Sequence, residues 1–306
     1  MKKSRFLNVW LFFVFVYLLS ALLCVPVLLS GSGLTTPINK VLTVLFTFVP
    51  SVLGVVFTYM SKGPEERRDF WRRAFCWPRG QTKIALAGLL ILPFIAITSF
   101  LVSSFISGSP VSLGYAVEVL TNWKTLLVFL FVELTFGVFS EELGWRGYAL
   151  DELQSRWSAL TSSLVLGFIW AFWHTPAFLI PGMSQYEWGG IYSWTYVSFL
   201  LSVTLSNVLI TWVYNNTGRS ILVAGFLMHF AQNATLIFLA GIFERFTMPP
   251  FYWTVVLVVS AFATGLIVLI YGPKRLTHQP GDRDRIVKIN RPGMASDTHQ
   301  PPQTWR

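Results

Sequence analysis

Long apolar blocks separated by short polar stretches run through the chain. A helix needs about 20 mostly apolar residues to cross a bilayer. Eight blocks meet that length, near residues 8–30, 39–60, 84–107, 124–155, 158–180, 192–214, 220–243 and 250–271. The fourth turns polar from Glu141 onward. The pattern predicts an all-α, polytopic membrane bundle of about eight transmembrane helices. The first block follows Met1-Lys2-Lys3-Ser4-Arg5, which mimics the start of a signal peptide. It is too long for a signal's apolar region and no small-x-small cleavage site follows, so it reads as a retained anchor.

Composition supports this class. Apolar residues make up 54% of the 306 positions and charged residues only 12%, about half the charge of a soluble domain. Such a chain has too little polar surface to cover itself in water. Two cysteines, Cys24 in an apolar run and Cys76 in a basic stretch, make no disulfide framework.

The net charge of +9 would suit nucleic acid, but the basic residues lie between the apolar blocks, and no nucleic-acid partner is expected. Their distribution sets topology. With the N-terminus in the cytoplasm, inside segments hold 20 of the 23 Lys and Arg, and outside loops hold only Lys40, Lys124 and Arg245. Both termini are therefore expected to be cytoplasmic.

Four regions follow from these runs: N-terminal spans over 1–123, a core over 124–243, a last span within 244–271 and a tail over 272–306. Within the first, residues 61–83 mix Arg67, Arg68, Arg72 and Arg73 with Phe70, Trp71, Phe75 and Trp77. That mixture predicts a helix in the cytoplasmic interface, with aromatics in the acyl boundary and arginines on anionic head groups. The tail carries five prolines and no apolar period, which predicts a disordered basic segment.

Polar residues inside the spans carry the chemistry. Ionisable groups within a bilayer are costly and are functional candidates by default. Glu141, Glu142 and Arg146 interrupt the fourth block, His174 lies in the fifth, and His229 and Asn233 share one face of the seventh at i and i+4. Glu141 and His174 stand at matching depth on an antiparallel pair, about 25 Å from the turn that joins them. These residues, from the fourth, fifth and seventh spans, are expected to line one cavity. Glu142 and Arg146, at i and i+4 with the acid first, form a structural ion pair, which leaves Glu141 to face His174. Glu133 lies deeper in the fourth block without an evident partner, as either a packing group or part of an outer cavity.

Glu141-Glu142-x-x-x-Arg146, Trp170-x-x-x-His174 and His229-x-x-x-Asn233 resemble the three-part signature of the CPBP intramembrane proteases. That family groups type II CAAX prenyl endopeptidases with bacterial Abi and bacteriocin-immunity membrane proteins. The resemblance covers roughly 124–243, a CPBP-like catalytic core; Trp170 stands where the family usually has Phe and keeps an aromatic cavity wall. It implies a multi-pass protein of a prokaryotic plasma membrane that hydrolyses a membrane-proximal or lipid-linked peptide. The chemistry of the residues agrees. Glu141 with His174 can hold and deprotonate a water, while His229 and Asn233 can donate to the developing oxyanion. A divalent metal, zinc above all, is an open alternative, with Glu141, His174 and His229 as a carboxylate-plus-two-imidazole set. Asn233 is a poor fourth ligand and favours a metal-free water, with no cofactor required. Two readings from other classes stand beside the protease: a non-catalytic immunity or scaffold protein of the same family, and a transporter using Glu141 and the histidines as a relay.

Overall fold

The computed structural model describes residues 2–111, 113–240 and 248–278, and among these every regular element is helical. The blocks become α1 (Lys2–Leu29), α2 (Pro37–Ser61), α4 (Thr82–Ser107), α6 (123–154), α7 (Ala159–Trp173), α8 (Trp194–Asn216), α9 (222–240) and α10 (Tyr252–Tyr271), with α3 (Pro64–Phe75) and α5 (Gly114–Thr121) between them. Polar caps fix where several begin. Thr36 accepts the Asn39 N–H ahead of α2, Asn122 the Lys124 and Thr125 N–H groups ahead of α6, and Ser158 the Thr161 N–H ahead of α7. These side chains satisfy donors that a helix start leaves open.

Among the described residues, six helices are long and apolar enough to span a bilayer: Asn8–Leu29, Pro37–Ser61, Thr82–Ser107, Trp194–Asn216, Leu222–Leu239 and Tyr252–Tyr271. The other two predicted spans take different forms. The fifth ends early: α7 has 15 residues, His174 caps it, and Thr175–Phe178 turns as 3-10 helix. Pro176 explains the stop, because the residue before a proline is driven out of the α region and the ring clashes with the preceding turn. The fourth, α6, alternates α and π geometry. Trp123–Val132 is α-helical, Glu133–Phe139 π, Ser140–Glu142 a single α turn, Leu143–Ala149 π again, and Leu150–Gln154 α.

The bundle is built around α6 and α8. Helix α8 packs on α7 and α10, α2 lies between α1 and α6, and α4 closes the far side against α9 and α10. The α2–α6 crossing is a backbone contact. A Cβ on Gly144 would sit 2.3 Å from the Pro50 carbonyl oxygen, and one on Gly54 would sit 2.6 Å from Gly144 Cα. Small residues allow this approach, the usual device where helices cannot rely on hydrophobic exclusion. Ser51 of α2 also accepts the Leu143 N–H at 3.1 Å.

Helix α3 falls within the segment expected at the interface, and Arg68, Arg72, Phe75 and Trp77 are exposed there. Of the arginines and aromatics expected at the interface, two turn inward instead. Phe70 is buried, and Arg73 is only 6% exposed. Arg73 donates to Asp69 Oδ2 at 2.8 Å and to Tyr214 Oη at 2.6 Å, and its Nη2 lies 3.1 Å from Asp151 Oδ2. Tyr214 donates to Asp151, and Arg219 pairs with both Asp151 and Asp69. Asp151, foremost, raises the Arg219 pKa above its ordinary value. The cluster ties α3 to the end of α6, the end of α8 and the start of α9. Arg73 is thus an internal counter-ion, where the sequence placed it on head groups.

Asp151→Asn is expected to lower the thermal midpoint of the detergent-extracted protein. The cost stays below the about 3–5 kcal/mol of a fully broken buried pair, because Asp69 still faces Arg73. Arg72→Ala, on the exposed face of the same helix, should leave the midpoint where it is.

The first residues of the segment expected to be disordered, 272–278, are instead bound to the bundle. The Pro273 and Lys274 carbonyls accept the Leu160 and Ala159 N–H groups at the start of α7. The Asn216 side-chain amide donates to the Leu276 carbonyl, and the Thr277 hydroxyl donates to the Asn216 side-chain oxygen. Residues 272–278 are therefore held by the bundle, because they satisfy helix-terminal groups. Arg245 and the tail from 279 onward lie outside the described residues.

Candidate active site

Three π-helical stretches border the polar residues: Glu133–Phe139 and Leu143–Ala149 on either side of Glu141 and Glu142, and Leu222–Leu227 just before His229. Such turns occur disproportionately at functional sites, because each shifts the register of the side chains beyond it.

Glu141 is buried, and its Oε2 accepts two indole N–H groups, from Trp170 at 2.6 Å and from Trp145 at 3.2 Å. Trp170 is thus more than an aromatic wall; a phenylalanine could not make this bond. One turn on, His174 Nδ1 lies 2.9 Å from the Trp170 carbonyl. Its Nδ1–H donates there, since a carbonyl oxygen has no proton, and in the neutral ring the lone pair is then on Nε2. The Trp170 ring touches both histidines, with centroids 5.8 Å from His174 and 5.3 Å from His229.

Glu142 and Arg146 form the expected pair, Oε1 to Nη1 at 2.7 Å, both fully buried. The same Oε1 lies 2.8 Å from His229 Nδ1, so His229 sits on Glu142. Arg146 also donates to Asn207 Oδ1 at 2.9 Å, and Asn207 in turn donates to the Ser163 carbonyl at 2.6 Å. The Arg146 guanidinium lies 4.2 Å from the Trp170 ring centre. One buried chain, Ser163–Asn207–Arg146–Glu142–His229, therefore runs alongside Glu141 and Trp170.

Asn233 stands one turn beyond His229, near Gly137 and Glu133: a Cβ on Gly137 would meet Glu133 Oε2 at 2.7 Å and Asn233 Nδ2 at 3.2 Å. The structure thus brings Glu141, Trp170 and His174 together, places His229 with Glu142 and Arg146, and sets Asn233 beside Glu133. The sequence reading missed Asn207 and the Trp145 donor. A polar residue in mid-span was the available signal for Asn207.

The alternative metal set was Glu141, His174 and His229. Among the described residues, no three His, Cys, Asp or Glu side chains are grouped to hold one ion. Glu141 Oε2 is occupied by indole donors and His229 Nδ1 by Glu142.

With this geometry in view, similarity to known proteins is informative. The family model described as "Type II CAAX prenyl endopeptidase Rce1-like" matches residues 122–235, the stretch that holds every motif residue. The chain is 31% identical over 209 residues to the "CAAX prenyl protease 2" of Methanococcus maripaludis, spanning 67% of this chain and 74% of that protein. A likeness of that extent, over a match centred on the three motifs, means that the chain belongs to the CPBP family of CAAX-protease-like membrane proteins.

Proposed function

We propose that the protein is an intramembrane endopeptidase that hydrolyses a membrane-proximal or lipid-linked peptide through a water activated by Glu141. The observation that supports this most is the state of Glu141. It is a buried carboxylate held by two indole N–H groups, one of them from Trp170, whose carbonyl also holds His174 Nδ1. Glu141 takes a proton from water as the oxygen attacks the scissile carbonyl, and returns it to the leaving nitrogen. His174 Nε2 is placed to help hold that water. His229, with Nδ1 on the Glu142 carboxylate, can carry protons on both nitrogens and present Nε2–H to the oxyanion. Asn233 supplies a second donor. Preorganised donors of this kind are usually the largest single contribution to such catalysis. The scheme needs no metal.

The substrate class follows from the family: a peptide ending in a prenylated C-a-a-X sequence. The experiment compares such a peptide with the same peptide lacking the lipid, using the purified full chain in lipid discs. The prenylated peptide should be cut with the higher kcat/KM. Equal cutting of both would remove lipid recognition from the proposal and leave hydrolysis.

We also place both termini in the cytoplasm, on the 19 of 23 basic residues that fall in inside segments once Arg146, buried in the bundle, is set aside. Reporter fusions at Gly108 and Gly182 should read as external and one at Gly63 as cytoplasmic. The inverse pattern would overturn the orientation.

A further inference from the structure

The two oxygens of a carboxylate are equivalent until something holds one of them. The torsion that turns the carboxylate of a glutamate has broad, shallow wells, so the side chain does not by itself aim an oxygen at a water. In this bundle both indole donors end on the same oxygen of Glu141, Oε2, from Trp170 at 2.6 Å and from Trp145 at 3.2 Å. That fixes the carboxylate plane and leaves Oε1 as the oxygen that can meet a water.

The two donors differ in what they anchor. Trp145 stands four residues after Glu141 on α6 and travels with it. Trp170 reaches across from α7, and its backbone carbonyl accepts the His174 Nδ1–H at 2.9 Å. One residue therefore holds both groups assigned to the water, Glu141 by its side chain and His174 by its main chain. Its own ring is held in turn. Trp170 is 4% exposed, and the Arg146 guanidinium lies 4.2 Å from the ring centre, an attraction that fixes the ring plane and with it the direction of the N–H. The donor is a feature of this chain, because the phenylalanine usual at this position in the family has the ring without the N–H.

We infer that Trp170 is the positioning residue of the water site: its indole N–H holds Glu141 Oε2 so that Oε1 takes the proton of the attacking water. The inference rests on the proposed hydrolysis and adds no step to it. Oε1 gains the proton as the water oxygen bonds to the carbonyl carbon, and the proton passes to nitrogen as the C–N bond breaks. A base about 1 Å out of place can cost about 10²-fold in rate. The hold acts on the attack and not on peptide binding, so its loss falls on kcat and spares KM.

The test measures kcat and KM for a prenylated C-a-a-X peptide with the full chain in lipid discs. It compares wild type, Trp170→Phe and Trp170→3-benzothienylalanine, an isostere that keeps the outline of the indole with sulfur in place of the N–H. Both variants should lower kcat per folded molecule about 10–100-fold, the worth of one hydrogen bond to a charged group, with KM changed less than about twofold. A ring that served packing alone would give wild-type kcat with the isostere and a loss only with phenylalanine. That result, wild-type kcat in both variants, or a raised KM at unchanged kcat would overturn the inference. If wild type leaves the peptide uncut, or Glu141→Gln cuts it at the wild-type rate, the hydrolase reading fails instead.

Discussion

Glu141→Gln is expected to remove peptide hydrolysis while leaving the protein folded. A positioned general base contributes about 10²–10⁴-fold to rate, so the residual rate should fall to that extent or below. The amide keeps the size of the carboxylate, and its oxygen can still accept from Trp170 and Trp145, whose N–H groups hold Oε2. What it lacks is the basic oxygen that takes the proton. The variant should therefore be extracted with the same yield and the same monodisperse profile as wild type. Retained activity at wild-type level would move the base elsewhere. The immunity or scaffold reading predicts the opposite pattern, a function that survives the substitution as long as the protein accumulates.

Glu142→Gln should show the reverse balance, with a large loss of stability accompanied by a loss of activity in what remains folded. Glu142 Oε1 meets both Arg146 and His229, and all three side chains are buried. Removing its charge leaves Arg146 unpaired inside the bundle, and breaking a buried pair costs about 3–5 kcal/mol. The same change releases His229 from the carboxylate that orients its ring. Asn207→Ala separates the two effects. It strips one partner from Arg146 and none from His229, so it should cost about 1–3 kcal/mol with kcat per folded molecule unchanged. Thermal midpoints in detergent and active-fraction kinetics read both quantities. If Asn207→Ala lowered kcat as much as Glu142→Gln, the loss of activity would run through Arg146, which both residues hold, and not through His229.

Much of this site was legible in the sequence because a bilayer makes polar residues conspicuous. Glu141, His174 and His229 stand out in apolar blocks, and the Glu142–Arg146 spacing alone gave their pairing. Depth counting at a helical rise placed Glu141 near His174, and the structure joins Glu141 to Trp170, one turn from that histidine. What the sequence did not carry was rotation about the helix axes. The face argument assumed a uniform 3.6-residue turn, and π turns on both sides of Glu141–Glu142 and before His229 break that assumption. Hence His229 on Glu142 was not foreseen. Long-range partners were equally hidden: nothing local to Asn207, Trp145 or Arg73 states what each meets across the bundle. The six long apolar helices were plain from hydropathy, whereas the early end of α7 was signalled only by Pro176.

The most direct measurement is mass spectrometry of a prenylated C-a-a-X peptide incubated with wild type and with Glu141→Gln, each reconstituted in lipid at the same folded concentration. The proposed mechanism predicts that wild type yields two fragments whose masses sum to the peptide plus one water, and that Glu141→Gln leaves the peptide intact. Fragments produced equally by both proteins, or an intact peptide after incubation with folded wild type, would contradict it.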